Sequence, residues 1–212
     1  AKWDAWFEWD GATWRRDEKV RYFELARQIS REALRWPGIS ELTANQKRRI
    51  CSATTAANML RPIKSDPVIA AVTEQWDSDP MMLATPAGVV DLKLGKLITA
   101  SREQYCTKST SVAPEKGEPV LWLACLRTWF NGDEALMRYA QLLAGYCATG
   151  DTREKMFCFM YGPADTGKST FAEVLMAVLG TYAQSASMDT FTETKHERHT
   201  TELAQLQGAR LV

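Results

Sequence analysis

The chain's apolar and polar positions fall into three rhythms. The first is short. Two aromatic runs in "AWFEWDGATWRR" flank Asp10-Gly11. Asp-Gly favours the turn geometry that matches strand twist, so the stretch predicts a β-hairpin. Helical spacing follows, with Val20, Phe23, Leu25, Ala26, Ile29, Ala33 and Leu34 on one apolar face, until "WPG" at Trp36–Gly38 breaks it. A second helix is predicted over about 44–60, stopping before Pro62. A third starts at Asp66-Pro67, with Asp66 as cap and Pro67 in the first turn.

From Trp76 to about Ser111 the pattern changes to short β-branched runs with turns at Gly88 and Gly95, the mark of a small meander. "APEKGEP" at 113–119 reads as a linker. Two helices are predicted after it, over about 119–130 and 133–148, the second apolar at Leu136, Met137, Ala140, Leu143, Ala144 and Cys147. After the loop "ATGDTRE" comes the apolar run Met156–Tyr161, too short for a helix and suited to a buried parallel strand. A helix then runs to Gly180, and "GARLV" at the end has the pattern of a strand cut short.

Composition narrows the class. The 212 residues are 45% hydrophobic and 25% charged, enough for a sizeable core in one large domain or two small ones. The net charge of +0 excludes a broadly basic nucleic-acid coat, yet charge is uneven. Residues 14–64 hold twelve Lys/Arg against five Asp/Glu, a net of +7. Such a basic helical head can touch a nucleic-acid backbone or serve simply as a solvated surface. The eight Trp fit core or interface roles better than ligand stacking. Cys51, Cys106, Cys125, Cys147 and Cys158 form no CxxC pair, which fits buried free thiols in a reducing compartment rather than zinc or disulfides. "AKWDAWFEWD" is no signal peptide and no run is long enough for a membrane span, so the expectation is a cytoplasmic protein without a membrane partner. A start at Ala1 and an unfinished strand at Leu211-Val212 are read as signs of a fragment.

One motif carries chemistry. "GPADTGKS", Gly162–Ser169, matches the phosphate-loop pattern G-x-x-x-x-G-K-[ST] in full. Gly162 and Gly167 permit a tight turn and close approach to a polyphosphate, and the backbone N–H groups of Pro163's successors, Ala164, Asp165 and Thr166, make an anion nest. Lys168 is the candidate catalytic residue, reaching the β- and γ-phosphates. Ser169 offers its hydroxyl to Mg²⁺, and Thr170 continues into the helix whose N-terminus favours an anion. The ATP-binding set is therefore Gly162, Pro163, Ala164, Asp165, Thr166, Gly167, Lys168, Ser169 and Thr170, with ATP and Mg²⁺ as cofactors. The preceding strand pattern and following helix supply the context that the motif needs.

Several blocks together resemble the superfamily-three helicase segment of phage and plasmid primases, of the satellite-phage P-four and poxvirus D-five type. They are "WDGATWRRD" (9–17), "WDSDPMMLATPAGVVDLKLGKL" (76–97), "YAQLLAGYCATGDTREKMFCFMYGPADTGKSTF" (139–171) and "LAQLQGARLV" (203–212). Ala84, Ala87, Leu94 and Thr166 depart from residues common in that family, and none of them touches the phosphate contacts. The resemblance implies an α/β protein: a mainly helical N-terminal domain with a small β meander over 1–149, then the first half of a P-loop, AAA+-like parallel α/β motor over 150–212. It also implies a replicative helicase or primase-helicase that spends ATP on unwinding DNA, with single-stranded DNA as partner and a homo-oligomeric ring, typically a hexamer. In that family an acidic strand, a polar sensor and an arginine finger follow "GARLV", so this chain alone is expected to bind nucleotide weakly and turn it over negligibly. The alternatives are a nucleotide or small-molecule P-loop kinase, and a non-catalytic nucleotide-responsive adaptor of a helicase ring.

Other polar residues read as ordinary surface. Glu154 and Glu173 fit solvated carboxylates, and Asp165 is expected to turn outward because its charge would repel phosphate. His196 and His199 lack a metal-ligand arrangement, Arg210 reads as structural, and Asp151, Thr152 and Glu154 stay open between an adenine flank and a subunit contact.

Overall fold

The computed structural model describes residues 3–39, 41–191 and 206–212. The chain divides into two compact units, one of Ala1–Trp9 with Trp14–Trp76, the other of Asp10–Thr13 with Asp77–Val212. The division expected between residues 149 and 150 falls inside the second unit.

In the first unit β1 (Phe7–Trp9) pairs antiparallel with β2 (Trp14–Arg16), Phe7 opposite Arg16 and Trp9 opposite Trp14, as the Asp-Gly signal predicts. Trp76 is the hub of its aromatic cluster: Phe7 stacks on it at 4.5 Å, Trp3 at 6.4 Å, and Trp14 meets it edge-on at 5.9 Å. Helix α1 (Arg21–Ala33) starts after Val20 in a left-handed conformation, and Asp17 does the work of a cap by accepting from the Tyr22 N–H at 2.8 Å. Of the predicted face of α1, Ala26 is buried and Phe23, Ala33 and Leu34 are partly buried, whereas Val20, Leu25 and Ile29 stay about half exposed and Ser30 joins Ala26 on the inward line. Small residues decide this, because they let α1 and α3 approach closely. Ala56 of α3 is fully buried, and the Ser30 hydroxyl, donating to the Ala26 carbonyl at 2.9 Å, lies 3.6 Å from Met59 Sδ.

The single helix predicted over 44–60 is two: α2 (Ala44–Ile50) and α3 (Ala53–Ile63). A capping box starts α2, with the Thr43 N–H donating to Gln46 Oε1 at 2.9 Å and the Gln46 N–H to Thr43 Oγ1 at 3.4 Å. Ser52 interrupts the run by accepting from the Thr55 N–H at 3.2 Å, a new N-cap. Pro62 sits in the last turn of α3 rather than beyond its end. No helix follows Asp66-Pro67. The Asp66 carbonyl accepts from Ile69 and Ala70 in one turn, and Val68, Ile69 and Val72 are all exposed, so there is no buried face to hold a helix.

The second unit opens on the predicted meander, β3 (Met82–Thr85), β4 (Gly88–Asp91) and β5 (Lys96–Ile98), antiparallel in that order. At Gly88, φ is +138° and a Cβ would lie 2.4 Å from the Ile98 carbonyl oxygen, so β4 can cross β5 only with glycine there. Helices α4 (Val120–Trp129) and α5 (Glu134–Ala148) match the predicted pair, with Asp133 Oδ1 capping α5 through the Leu136 N–H at 2.9 Å. Helix α6 (Lys168–Leu179) ends at Gly180 as expected. Two cores meet along α5. Leu126, Met137, Ala140 and Phe171 form one; Leu83, Cys147, Leu179, Tyr182 and Ala183 form the other, joining meander, α5 and α6.

The strand predicted over Met156–Tyr161 is not formed. Phe157, Phe159 and Tyr161 are 75–85% exposed, and the segment joins no ladder. A parallel strand is held by neighbours on both sides, and apolar spacing alone cannot supply them. Among the described residues the one parallel pairing is the isolated Ala183–Leu211 bridge, with the Gln184 N–H donating to the Leu211 carbonyl at 2.9 Å. The described architecture is thus mixed helix with small antiparallel sheets, and the parallel sheet of a motor is not seen in it. All five cysteines are free, but Cys158 is exposed rather than buried. Among the described residues no helix is long and apolar enough to cross a membrane.

A candidate phosphate-binding loop

Gly167 turns the chain into α6 at φ +81°, and a Cβ there would come within 2.4 Å of the Trp129 indole. Trp129 closes α4, meets Trp122 edge-on at 5.7 Å, and Trp122 in turn stacks on Phe171 at 5.7 Å. Phe171 is buried and its N–H donates to the Gly167 carbonyl at 2.8 Å, the first bond of the helix. The start of α6 is therefore pinned from below by three aromatic rings. No side chain caps it, so the first-turn N–H groups of Lys168, Ser169 and Thr170 remain donors without helical partners.

Above that base the loop is open. Gly162, Pro163, Ala164 and Asp165 face solvent, as do Ser169 and Thr170, while Thr166, Gly167 and Lys168 are half-buried. Asp165 adopts φ +60°. The Lys168 ammonium folds back on its own loop. It donates to the Gly162 carbonyl at 3.1 Å, to Thr166 Oγ1 at 3.2 Å and to the Pro163 carbonyl. Thr166 Oγ1 itself donates to the Pro163 carbonyl at 2.9 Å. In this arrangement the cation is satisfied by neutral acceptors, which an anion with its own charge can outcompete. Among the described residues no cluster of His, Cys, Asp or Glu can hold a metal ion by itself. Ser169 offers one exposed hydroxyl, and Mg²⁺ commonly takes most of its remaining ligands from phosphates and water.

The remaining candidates scatter. Glu154 and Glu173 are exposed. Asp151 is bound by Arg153, Nε to Oδ2 at 2.7 Å, and that bond holds its carboxyl below the ordinary aspartate range. Arg210 donates to the Ala148 carbonyl at 2.5 Å and the Met82 carbonyl at 2.6 Å, and its guanidinium lies 4.2 Å from the centre of the Tyr182 ring. Arg210 thereby ties the end of α5 to β3. His196 and His199 lie outside the described residues. Two residues near these sites had no signal in the sequence reading. Trp129 packs under Gly167 across 38 positions, and Tyr182 is fully buried with its hydroxyl accepting from the Ala84 N–H at 3.1 Å.

The described chain thus combines a helical unit, a three-stranded meander and a glycine-rich loop that opens α6. The family model described as D5 N terminal like matches residues 1–131, more than half of the chain. The chain belongs to that family, which is the N-terminal region of D5-type primase-helicase proteins. The match ends before α5 and leaves the loop outside it. No curated protein matches the chain.

Proposed function

We propose that Gly162–Thr170 is the ATP-binding loop of a phage, prophage or plasmid primase-helicase, whose assembled ring uses ATP hydrolysis to move along and unwind DNA. The observation that carries this reading is the pinned start of α6 beneath a solvent-facing loop: "GPADTGKS" runs without a break into a helix whose first N–H groups are uncapped. Family membership over residues 1–131 supports it from the other side.

Each residue's part follows from its place. The N–H groups of Lys168, Ser169 and Thr170 bind phosphate oxygens at the positive end of α6. Lys168 exchanges the carbonyls of Gly162 and Pro163 for the β- and γ-phosphates, and Thr166 keeps the loop folded through the Pro163 carbonyl while it does so. Ser169 gives its hydroxyl to the Mg²⁺ that arrives with the triphosphate. Bound Mg²⁺–ATP supplies the phosphoanhydride whose hydrolysis drives the motor.

Calorimetric titration tests the reading. One saturable site for ATP is expected in the presence of Mg²⁺, with binding several-fold weaker when Mg²⁺ is chelated. No saturable heat up to about 1 mM ATP, a binding free energy of only ~4 kcal/mol, would overturn it.

A further inference from the structure

The first unit treats its arginines in two ways. Those of α1 are neutralised within the unit: Arg27 and Arg31 pair with Glu24 at 3.3 and 3.1 Å, and Arg21 pairs with Glu8 at 2.8 Å. The stretch from residue 35 to residue 64 is different. It holds Arg35, Lys47, Arg48, Arg49, Arg61 and Lys64 against the single carboxylate Glu41, a net of +5 in a chain whose total is +0. Lys64 pairs with Asp4 at 2.7 Å. Among the described residues no ion pair engages Arg35, Arg48, Arg49 or Arg61.

Helix α2 makes the point most sharply, since none of its residues is buried. It is held at its start by the Thr43–Gln46 capping box, and Lys47, Arg48 and Arg49 fill its last turn. A helix that buries no face contributes little to a core. What it does present is the two exposed guanidinium groups of Arg48 and Arg49.

The chain brings a further cation and an aromatic ring to the same end of the unit. Cys51, which closes α2, places its Sγ 3.7 Å from the Ser30 carbonyl, so the α2–α3 junction meets the last turns of α1. Arg35 and the 53%-exposed Trp36 follow α1 directly. Guanidinium groups without an ion pair and an exposed ring, on segments that the Cys51–Ser30 contact joins, are the two components of single-strand recognition: cations for the phosphates, an aromatic face for a base.

We infer that Arg35, Trp36, Arg48 and Arg49 form a binding surface for single-stranded nucleic acid on the helical unit, separate from the phosphate loop. The inference shares with the proposed function only the choice of DNA as partner. Its test contains no ATP, so failure of either leaves the other standing.

The test is fluorescence anisotropy of a labelled oligothymidylate against the full chain over a range of salt concentrations. Arg48→Glu/Arg49→Glu is expected to weaken binding at least about tenfold and to lower the salt slope by about 1.4, two phosphate contacts at ~0.7 each. Trp36→Ala is expected to weaken binding about tenfold while leaving the salt slope unchanged, the mark of a lost stack. Thermal melting checks that the variants fold, which their exposed positions allow, and Arg48→Gln/Arg49→Gln replaces the reversal if it does not. Binding unaffected by the folded arginine variants overturns the inference. So does preference for a polyglutamate peptide over the oligonucleotide, which would mark an acidic protein as the partner.

Discussion

Replacing Tyr182 with alanine is expected to remove about 3–5 kcal/mol from the stability of the second unit. Tyr182 is only 1% exposed and packs among Leu83, Cys147 and Leu179, where meander, α5 and α6 meet. Truncation opens a cavity too large for these neighbours to fill by relaxation. It also strips the Ala84 N–H of its acceptor and Arg210 of the ring it lies against. Tyr182→Phe separates the contributions. It keeps the packing and loses only the hydroxyl, so a cost of about 1–3 kcal/mol is expected for the unpartnered N–H.

The same pair reads out in pH. Burial pushes the Tyr182 phenol up to about 12 from an ordinary value of 10.0, with the Arg210 cation opposing that rise. The folded protein therefore holds a proton that the unfolded chain releases between those values. This contribution to stability is complete below pH 10 and is lost as pH rises through about 12. Burial raises the Cys106 thiol as well, to about 11, so alkaline weakening has more than one source. The difference between wild type and Tyr182→Phe in urea melts isolates the phenol. Wild type should lose more stability than the variant between about pH 10 and pH 12, and parallel curves would count against the buried phenol.

Lys168→Ala carries the largest functional effect. In the free loop Lys168 is held by carbonyls and a hydroxyl, all of them neutral. With nucleotide bound, it would face the most highly charged part of the ligand. Its removal should lower ATP affinity about 100-fold, or ~2.7 kcal/mol, the range of one or two charge-assisted hydrogen bonds. The thermal midpoint should hardly move, because the loop lies outside both cores. Lys168→Arg is expected to restore little, since a planar fork does not fit a site shaped for a compact ammonium. An unchanged ATP titration for Lys168→Ala would remove Lys168 from the site.

Local signals in the chain were the most legible. The Asp10-Gly11 hairpin, the three-stranded meander, the α4–α5 pair and the phosphate-loop motif are all written in contiguous residues, and each can be read where it stands. The break between α2 and α3 was less visible, because apolar spacing continues across Ser52 and only the cap bond to Thr55 reveals it. The inward face of α1 was legible in part. Hydrophobic spacing includes the buried Ala26, but it cannot name the polar Ser30, which close approach of α3 buries beside it while Leu25 and Ile29 stay half exposed. Met156–Tyr161 has the composition of a strand, but a strand depends on partners that spacing does not name. Tyr182 was hidden entirely, since its hydrogen-bond partner Ala84 lies 98 positions away.

Hydrogen–deuterium exchange with and without Mg²⁺–ATP tests the assignment of the loop most directly, because it reports where the ligand acts as well as whether it binds. Backbone N–H groups at 164–170 should exchange more slowly with nucleotide present, with peptides from the helical unit unchanged. Exchange at 164–170 unaffected by saturating Mg²⁺–ATP, or protection confined to another part of the chain, would contradict the account.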